Sequence, residues 1–333
     1  MLSLSLAVSL FSQEYNLKRQ TKMFSKILKT LRKEKGFTQK ELAANLSLAS
    51  VEFESIDVVT ISRWERGVTA PTKAKAIRIL RCITTDVRQY LKHISDEDES
   101  KAFELFLNQV YELPVQSSTL AYIGNALVGA DEFITHDHLL SAANDSVSQK
   151  LRAYHTNHRP ERLELLNQDL FRYQEDERML AYRFLGGQDK NVSLGHSIAL
   201  LFDKNMVQSG TFREGFNINY RKVSRYVSYK EFSLYIVSAY FLSSDVFRYF
   251  WGLLTCELAK RANIEEVYVE VRSAAAAEYL ISLGFNIVLT QNEVEIGGIK
   301  VGRRCYEKCL LKIDTSKLLS HQDSIALVRR FLT

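Results

Sequence analysis

Apolar residues recur at three- and four-residue spacing along the first part of the chain, which predicts short amphipathic helices. The first regular helix is predicted to begin at Phe24 and to end at Lys35-Gly36, because glycine readily takes the left-handed conformation of a helix C-cap. Thr38, followed three residues later by Glu41, has the pattern of a capping box. A second helix is therefore predicted to start at Gln39 and to reach about Leu46.

A third helix is predicted in the stretch 58–71, which reads VVTISRWERGVTAP. Thr60 is expected to open this helix, and Gly67 with Pro71 is expected to end it. Ile61 and Trp64 lie three residues apart, so they are expected to share a buried face.

The opposite face of this third helix carries Ser62, Arg63 and Arg66. Hydroxyl and guanidinium donors suit phosphates and base edges, and arginine can bind guanine through two hydrogen bonds. The pattern therefore predicts a helix that reads DNA, while Trp64 is interpreted as a core anchor.

The charge of the chain is unevenly placed, although the net charge is only +5. Between residues 18 and 40, a single acid, Glu34, stands against nine basic residues: Lys18, Arg19, Lys22, Lys26, Lys29, Arg32, Lys33, Lys35 and Lys40. A basic end on a nearly neutral body indicates an anionic partner, and the alternative is a solvated lysine-rich helix face.

The blocks LRKEKGFTQKELAANL (31–46) and VVTISRWERGVTAPTKAKAIRIL (58–80) resemble the Cro/cI-like (XRE) helix-turn-helix domain over roughly residues 24–83. The resemblance implies short helices that bind a DNA operator as a homodimer, because most such operators are two-fold symmetric. The residues expected to contact DNA are Gln39, Thr60, Ser62, Arg63, Arg66 and Lys73, and Arg32 with Glu65 is expected to form a buried ion pair.

The segment Ser47–Val59 is several residues longer than the turn expected between the second and third helices of that family. It could extend the second helix, loop out or pack as a flap. Because of this insertion, Thr60–Arg66 is assigned to base reading, and Asp57–Val59 is not.

The second half of the chain has a different pattern, with alternating apolar residues typical of strands between helical segments. Helices are predicted over 120–128 and 137–143, then one long helix or two over 159–185. Strands are predicted over 193–203, 266–271, 285–289 and 306–313, with β-rich sequence over 212–223 and 226–240. Further helices are predicted over 246–262, 273–283 and 321–332, which together indicate an α+β domain with a mostly antiparallel sheet.

The order strand, helix, strand, helix and strand, together with AAAAEYLISLGF (274–285), resembles the GNAT acyltransferases over roughly residues 160–313. Those enzymes hold acetyl-CoA with a glycine-rich loop, and the matching stretch 243–252, SSDVFRYFWG, has bulky or acidic residues instead. Acetyl-CoA is therefore disfavoured as a cofactor. Arg248 and Tyr279 remain candidate ligand-binding residues.

The chain has no recognisable catalytic or metal-binding motif. It lacks the P-loop, HExxH and GxSxG patterns, and its four cysteines have no disulfide-like spacing. The paired histidines at 136/138 and 155/158 lack suitably placed partners and are interpreted as surface residues. No catalytic residue and no metal site are assigned.

These patterns predict a multidomain protein in which an all-α helix-turn-helix domain precedes the α+β, GNAT-like domain. The apolar start lacks the basic region of a signal peptide and is too short to span a bilayer. Met23 is interpreted as the natural start. The expected division is a disordered or mis-called extension (1–22), the helix-turn-helix domain (23–94), an acidic linker and helical connector (95–158) and the GNAT-like domain (159–333).

The predicted function is a cytoplasmic, nucleoid-associated bacterial transcriptional regulator that binds no membrane. Its C-terminal domain is expected to sense a small-molecule or acyl-CoA ligand, or to mediate dimerisation. The alternative is an active acyl-CoA-dependent N-acyltransferase with a DNA-binding domain, against which the degenerate loop argues. A further reading is a toxin–antitoxin or phage-type repressor whose C-terminal domain binds a protein partner.

Overall fold

The computed structural model describes residues 2–94, 98–111, 134–142, 145–187 and 192–332, with the backbone alone for 2–17. The chain divides into two compact units. The helical unit comprises Met1–Glu99, Gly252–Ala262 and Leu319–Thr333, and the sheet unit comprises Ser100–Trp251 and Asn263–Leu318. The helical unit thus includes two later segments of the chain besides its N-terminal one.

The described helices are numbered in chain order, with their bounds. They are α1 (Leu2–Glu34), α2 (Gln39–Ala49), α3 (Val58–Glu65), α4 (Lys73–Arg81), α5 (Arg88–His93), α6 (Lys101–Tyr111), α7 (Val147–His158), α8 (Leu170–Glu175), α9 (Lys204–Gln208), α10 (Ser244–Lys260), α11 (Ala274–Ser282), α12 (Thr315–Leu319) and α13 (Gln322–Val328). Short 3-10 turns cover Val51–Phe53, Pro160–Asn167, Tyr220–Lys222 and Arg329–Phe331.

Helix α1 begins at Leu2, much earlier than the predicted Phe24. The chain has no glycine or proline before Gly36, so nothing in the sequence interrupts helical backbone over this stretch. Residues 2–34 are thus one continuous helix, with no break at the expected boundary between residues 22 and 23.

The end of α1 and the start of α2 were predicted correctly. Gly36 has a φ of 71°, its amide donates to the Lys33 carbonyl (2.9 Å), and the Phe37 amide donates to the Arg32 carbonyl (3.0 Å). These two bonds form a Schellman motif, which needs the left-handed residue that glycine supplies. Thr38 and Glu41 then exchange side-chain and backbone hydrogen bonds in a complete capping box.

The insertion between α2 and α3 packs against the domain instead of looping out. Helix α2 continues to Ala49, and the following 3-10 turn buries Phe53 completely. Ile56 is also buried, and Glu52 forms an ion pair with Arg78 of α4. The extra residues therefore extend the second helix slightly and then form a packed turn.

Aromatic packing holds α1 against other helices of the helical unit. Phe24 meets the ring of Trp64 edge-on at 5.9 Å and the ring of Tyr90 at 6.2 Å. The later segment 252–262 joins this unit through backbone hydrogen bonds, from the Val87 amide to the Ala259 carbonyl and from the Ala262 amide to the Thr85 carbonyl.

The sheet unit is built on one mixed sheet, as the α+β prediction requires. Its strands are β1 (Thr135–His138), β2 (Met179–Gly186), β3 (Val192–Asp203), β6 (Phe232–Phe241), β7 (Ile264–Val271), β8 (Asn286–Val294), β9 (Ile299–Val301) and β10 (Arg304–Asp314), while β4 (Arg213–Glu214) and β5 (Asn217–Ile218) form a separate hairpin. The order is β1-β2-β3-β6-β7-β10-β8, with β9 paired to β10. Every pairing is antiparallel except that of β6 with β7.

The elements β6, α10, β7, α11 and β8 follow one another in the predicted order of strand, helix, strand, helix and strand.

Two predictions of helices in the sheet unit were wrong. The segment 159–185 is not one or two long helices: Glu177 adopts a left-handed φ of 53° after the short α8, and Met179 then starts strand β2. Residues 135–138 form β1, which pairs with β2, where a helix was expected from residue 137. Pairing between distant strands overrides the local helical pattern in both cases.

The predicted helix 120–128 lies outside the described residues. A core cluster of the sheet unit includes Leu200, Phe202, Tyr235, Tyr268 and Leu310, from four neighbouring strands. None of the described helices is both long enough and apolar enough to cross a bilayer.

Replacing Phe53 by alanine is expected to lower the free energy of unfolding by about 3–5 kcal/mol, because the side chain is fully buried and would leave a cavity. Urea denaturation followed by circular dichroism measures this loss. Val51→Ala is the matched control in the same turn, since Val51 is 80% exposed and should change stability by less than about 0.5 kcal/mol. Equal losses in the two variants would mean that the insertion does not pack as described.

Candidate nucleic-acid interface and a buried polar cluster

Helix α3 starts two residues before the predicted Thr60. Asp57 is its N-cap, and one carboxylate oxygen accepts a hydrogen bond from the Thr60 amide at 2.7 Å. This bond holds the pKa of Asp57 below its ordinary value of 3.8, and the nearby charge of Arg63 acts in the same direction. The helix ends at Gly67 as predicted, since Gly67 has a φ of 68° and its amide donates to the Trp64 carbonyl at 3.0 Å.

The two faces of α3 are sharply different. Ile61 and Trp64 are buried, as the spacing predicted. Arg63 and Arg66 are exposed, and Ser62 is half-buried between them. The arginine side chains therefore project from the domain on the side away from its core.

A buried carboxylate fixes how α3 sits against α1. Glu65 receives two hydrogen bonds from the guanidinium of Arg32, Nε to Oε1 at 2.5 Å and Nη2 to Oε2 at 2.9 Å. The amide of Gln39 donates to Oε2 at 2.8 Å, so α2 joins the same network. The Ser25 hydroxyl donates to the backbone carbonyl of Glu65 at 2.7 Å. The ion pair suggested by the family resemblance is therefore present, and it links three helices.

The electrostatics of this network favour the charged pair. Burial by itself would raise the pKa of the Glu65 carboxyl, but hydrogen bonds from Arg32 and Gln39 outweigh burial and hold the pKa below 4.5. The Arg32 pKa is raised, chiefly by its hydrogen bond to Glu65. The carboxylate and guanidinium thus remain ionised throughout the neutral range.

The remaining predicted contact residues lie around α3. Gln39 is the first residue of α2, and its amide nitrogen keeps a second hydrogen for a phosphate beyond the one given to Glu65. Arg66 Nε donates to the Ser62 carbonyl at 3.2 Å. Lys73 opens α4 directly after its N-cap Thr72. All of these residues belong to the helical unit.

Arg248 and Tyr279, the candidate ligand-binding residues, lie in one aromatic cluster of the sheet unit. Tyr279 is buried and stacks on Phe106, with ring centroids 4.7 Å apart. The Arg248 guanidinium forms ion pairs with Glu104 at 2.8 Å and with Asp245 at 3.3 Å. Both side chains already have packing and pairing roles within the protein.

Elsewhere in the sheet unit, strands β6 and β7 separate part-way along their length. Their parallel pairing extends from Phe232↔Ile264 to Ile236↔Val269, whereas β6 continues to Phe241 and β7 to Val271. Near this separation Glu270 receives the guanidinium of Arg162, and Arg159 reaches the same carboxylate at 3.0 Å.

We call the group His155, Arg162, Tyr220, Tyr235 and Glu270 the Arg162 cluster. Its side chains are largely removed from solvent, and Arg162 is only 2% exposed. Within the described residues, four of its polar atoms lack a hydrogen bond of normal geometry, namely His155 Nδ1, Arg162 Nε and the two tyrosine hydroxyls, although the charge of Arg162 acts on both hydroxyls. Buried polar groups are usually satisfied, so this cluster is a candidate site for a bound polar group.

Charge in the Arg162 cluster disfavours a protonated histidine. Burial, followed by the charges of Arg159 and Arg162, lowers the pKa of His155 to about 4, so the ring is neutral at pH 7. The expectation that His155 is a surface residue was wrong, because Tyr154 and His196 pack against its ring. Neither hydrophobic spacing nor motif revealed Arg162 or Tyr235, which meet only in the folded chain.

The part of the chain that the structure describes holds no group of three or more histidine, cysteine, aspartate or glutamate side chains able to bind a metal ion.

Residues 28–88 match the family model for the helix-turn-helix. The helical unit thus contains a helix-turn-helix, the fold that the resemblance to XRE-type regulators predicted. No characterised protein matches the chain by sequence.

Several solved acetyltransferase structures are similar to about half of the chain. NAA60 of Arabidopsis thaliana in complex with acetyl-CoA is 11% identical over 55% of this chain and 99% of that chain, with a TM-score of 0.35. A probable acetyltransferase of Staphylococcus epidermidis is 14% identical over 55% of this chain and 99% of that chain, with a TM-score of 0.31. The spermidine N-acetyltransferase of Vibrio cholerae, in complex with CoA and spermine, is 16% identical over 56% of this chain and 98% of that chain, with a TM-score of 0.30. Likenesses at this level do not assign an activity.

Replacing Glu65 by glutamine is expected to destabilise the helical unit by about 3 kcal/mol at pH 7, because Arg32 would lose its counter-charge in a largely buried position. The loss should depend on pH. Since the folded pKa of Glu65 lies below the unfolded value of about 4.5, the ion pair stabilises fully above that pH and progressively less below it.

Denaturation of both proteins between pH 3 and pH 7 measures this dependence. The difference in unfolding free energy should shrink as the pH falls below 4.5. A difference that stays constant over the whole range would show that the Glu65 charge contributes nothing.

Proposed function

We propose that this chain is a sequence-specific transcriptional regulator that reads an operator through α3, and that its sheet unit senses a ligand. The observation that carries the DNA part is the outward face of α3. Ser62 and Arg63 stand on a helix whose position the Arg32–Glu65–Gln39 network fixes. A rigid helix with an exposed arginine suits direct reading of guanine in the major groove.

Phosphate contacts surround the proposed base contacts. Gln39 and Lys73 lie at the first positions of α2 and α4, where the helix dipole favours an anion. Arg66 follows the last turn of α3. Such contacts set affinity and register, whereas Arg63 supplies preference for one base pair.

Two copies of the chain would bind together, because operators read by helix-turn-helix domains are commonly two-fold symmetric. The homodimer is part of the proposal. Light scattering of the purified chain, with and without operator, tests it directly, and a footprint covering two half-sites about 10 base pairs apart would accompany a dimer.

The ligand part of the proposal is supported by the Arg162 cluster. The cationic groups around Glu270 are those of Arg159, Arg162, Arg272 and Lys308. Two further carboxylates, those of Glu161 and Glu307, pair with Arg272, so four cationic groups stand against three carboxylates. Together with the unsatisfied tyrosine hydroxyls, this composition suits a small ligand with an anionic group.

The alternative function is acyl-CoA-dependent N-acyl transfer. We expect the residues at the start of α10 to bind acetyl-CoA poorly. The Leu242 amide already donates to the Leu194 carbonyl at 2.9 Å, and the Val246 amide points to the Ser243 hydroxyl at 3.4 Å. Phe247 and Phe250 fill the first turns with buried rings, so few amides remain for a pyrophosphate.

Arg63→Ala is expected to weaken operator binding by about 1–3 kcal/mol and to relax preference at one base pair. Lys73→Gln should weaken binding to all sequences alike and reduce the slope of log Kd against log salt by about 1. Sites selected from random DNA, followed by anisotropy titrations at several salt concentrations, distinguish the two effects. Identical sites and affinities for Arg63→Ala and the unaltered chain would refute the assignment of Arg63.

Tyr235→Phe is expected to reduce retention of the proposed ligand, because it removes one unsatisfied hydroxyl from the Arg162 cluster. Native mass spectrometry of the full chain purified from cells should show a bound small molecule that this variant loses. Tyr229→Phe is the matched control, since Tyr229 is 82% exposed. Calorimetry with acetyl-CoA tests the alternative, because tight binding of acetyl-CoA by the folded chain would favour a transferase over a sensor.

A further inference from the structure

Two valines begin helix α3 and project into solvent. Val58 is 39% exposed and Val59 is 54% exposed, directly after the N-cap Asp57. Valine is a weaker helix former than most residues, so helix propensity does not account for the pair. Val58 is the more buried of the two, whereas Val59 leaves about half of its surface in contact with solvent, where burial stabilises it only in part.

Val59 lies on the same face as the residues proposed to contact bases. Ser62 and Arg63 follow it at three and four residues, which places the three side chains side by side on the helix surface. Val59 is also one turn nearer the N-terminal end of the helix, the end that reaches base edges when such a helix enters the major groove.

The carboxylate of Asp57, the polar side chain that precedes the two valines, is unsuited to reading a base. The Asp57 carboxylate is held by the Thr60 amide at 2.7 Å, and a carboxylate facing DNA would repel its phosphates. The only apolar group that a base pair presents in the major groove is the 5-methyl group of thymine. A branched apolar side chain at this position matches that group in shape and chemistry.

We infer that Val59 reads the 5-methyl group of a thymine, so that the operator half-site has an A·T pair next to the pair read by Arg63. This inference rests on the proposed function, and it specifies one base pair of the DNA sequence that the regulator would bind.

The test uses the full chain and a duplex that it selects from random DNA. Each thymine of that duplex is replaced in turn by deoxyuridine, which lacks the methyl group and keeps the hydrogen-bonding edge. Dissociation constants are measured by anisotropy at one fixed salt concentration, because affinity for DNA depends strongly on salt.

One or two of the replacements are expected to weaken binding by the unaltered chain roughly fourfold each, the effect of losing one buried methyl contact. Val59→Ala should bind the thymine duplex more weakly and should no longer distinguish thymine from uracil. Val51→Ala is the control, since Val51 is an equally apolar exposed residue of the same unit outside α3.

Unchanged affinity for every uracil duplex, or a Val59→Ala variant that still distinguishes the two bases, would overturn the inference. So would a selected site with no thymine beside the pair that depends on Arg63. In each of these outcomes the proposed function stands, because the chain has still selected a sequence. Failure to select any sequence would instead refute the proposed function.

Discussion

The carboxylate of Glu65 is the point on which the helical unit depends. It lies beneath the outward face of α3 and receives hydrogen bonds from α1 through Arg32 and from α2 through Gln39. An unpaired carboxylate at this depth would be costly, so the three helices are constrained to the one arrangement that satisfies it. The network thereby converts a local feature of the sequence, a glutamate beside a tryptophan, into a fixed orientation of the recognition helix.

This fixed orientation determines which residues of α3 are exposed on the surface of the domain. Because Ile61, Trp64 and Glu65 must face inward, Val59, Ser62 and Arg63 must face outward. The insertion before the helix supports the same arrangement, since Phe53 and Ile56 anchor it in the core and leave Asp57 free to cap α3. A longer turn has therefore been accommodated without displacing the helix that carries the proposed DNA contacts.

The sheet unit buries charged and hydroxyl groups together with its apolar residues. Its apolar cluster accounts for the packing of the strands, but the Arg162 cluster places charged and hydroxyl groups among apolar residues, where burial is unfavourable unless they are paired. Glu270 satisfies part of Arg162, and several other polar atoms stay unsatisfied. Proteins keep such groups at functional sites more often than in simple cores, which is why this cluster, rather than the start of α10, is the better candidate for ligand recognition.

The sequence by itself determined the features that depend on neighbouring residues. Gly36 and Gly67 end their helices because each supplies the left-handed residue of a Schellman motif, and the capping box at Thr38 depends on a residue only three positions away. The pairing of Arg32 with Glu65 was accessible through family resemblance alone. Tertiary structure decided the rest, because strand pairing outweighs local periodicity at Met179 and at residues 135–138. It alone brings Arg162, Tyr220 and Glu270 together, since residues fifty or more positions apart meet only when the sheet has formed.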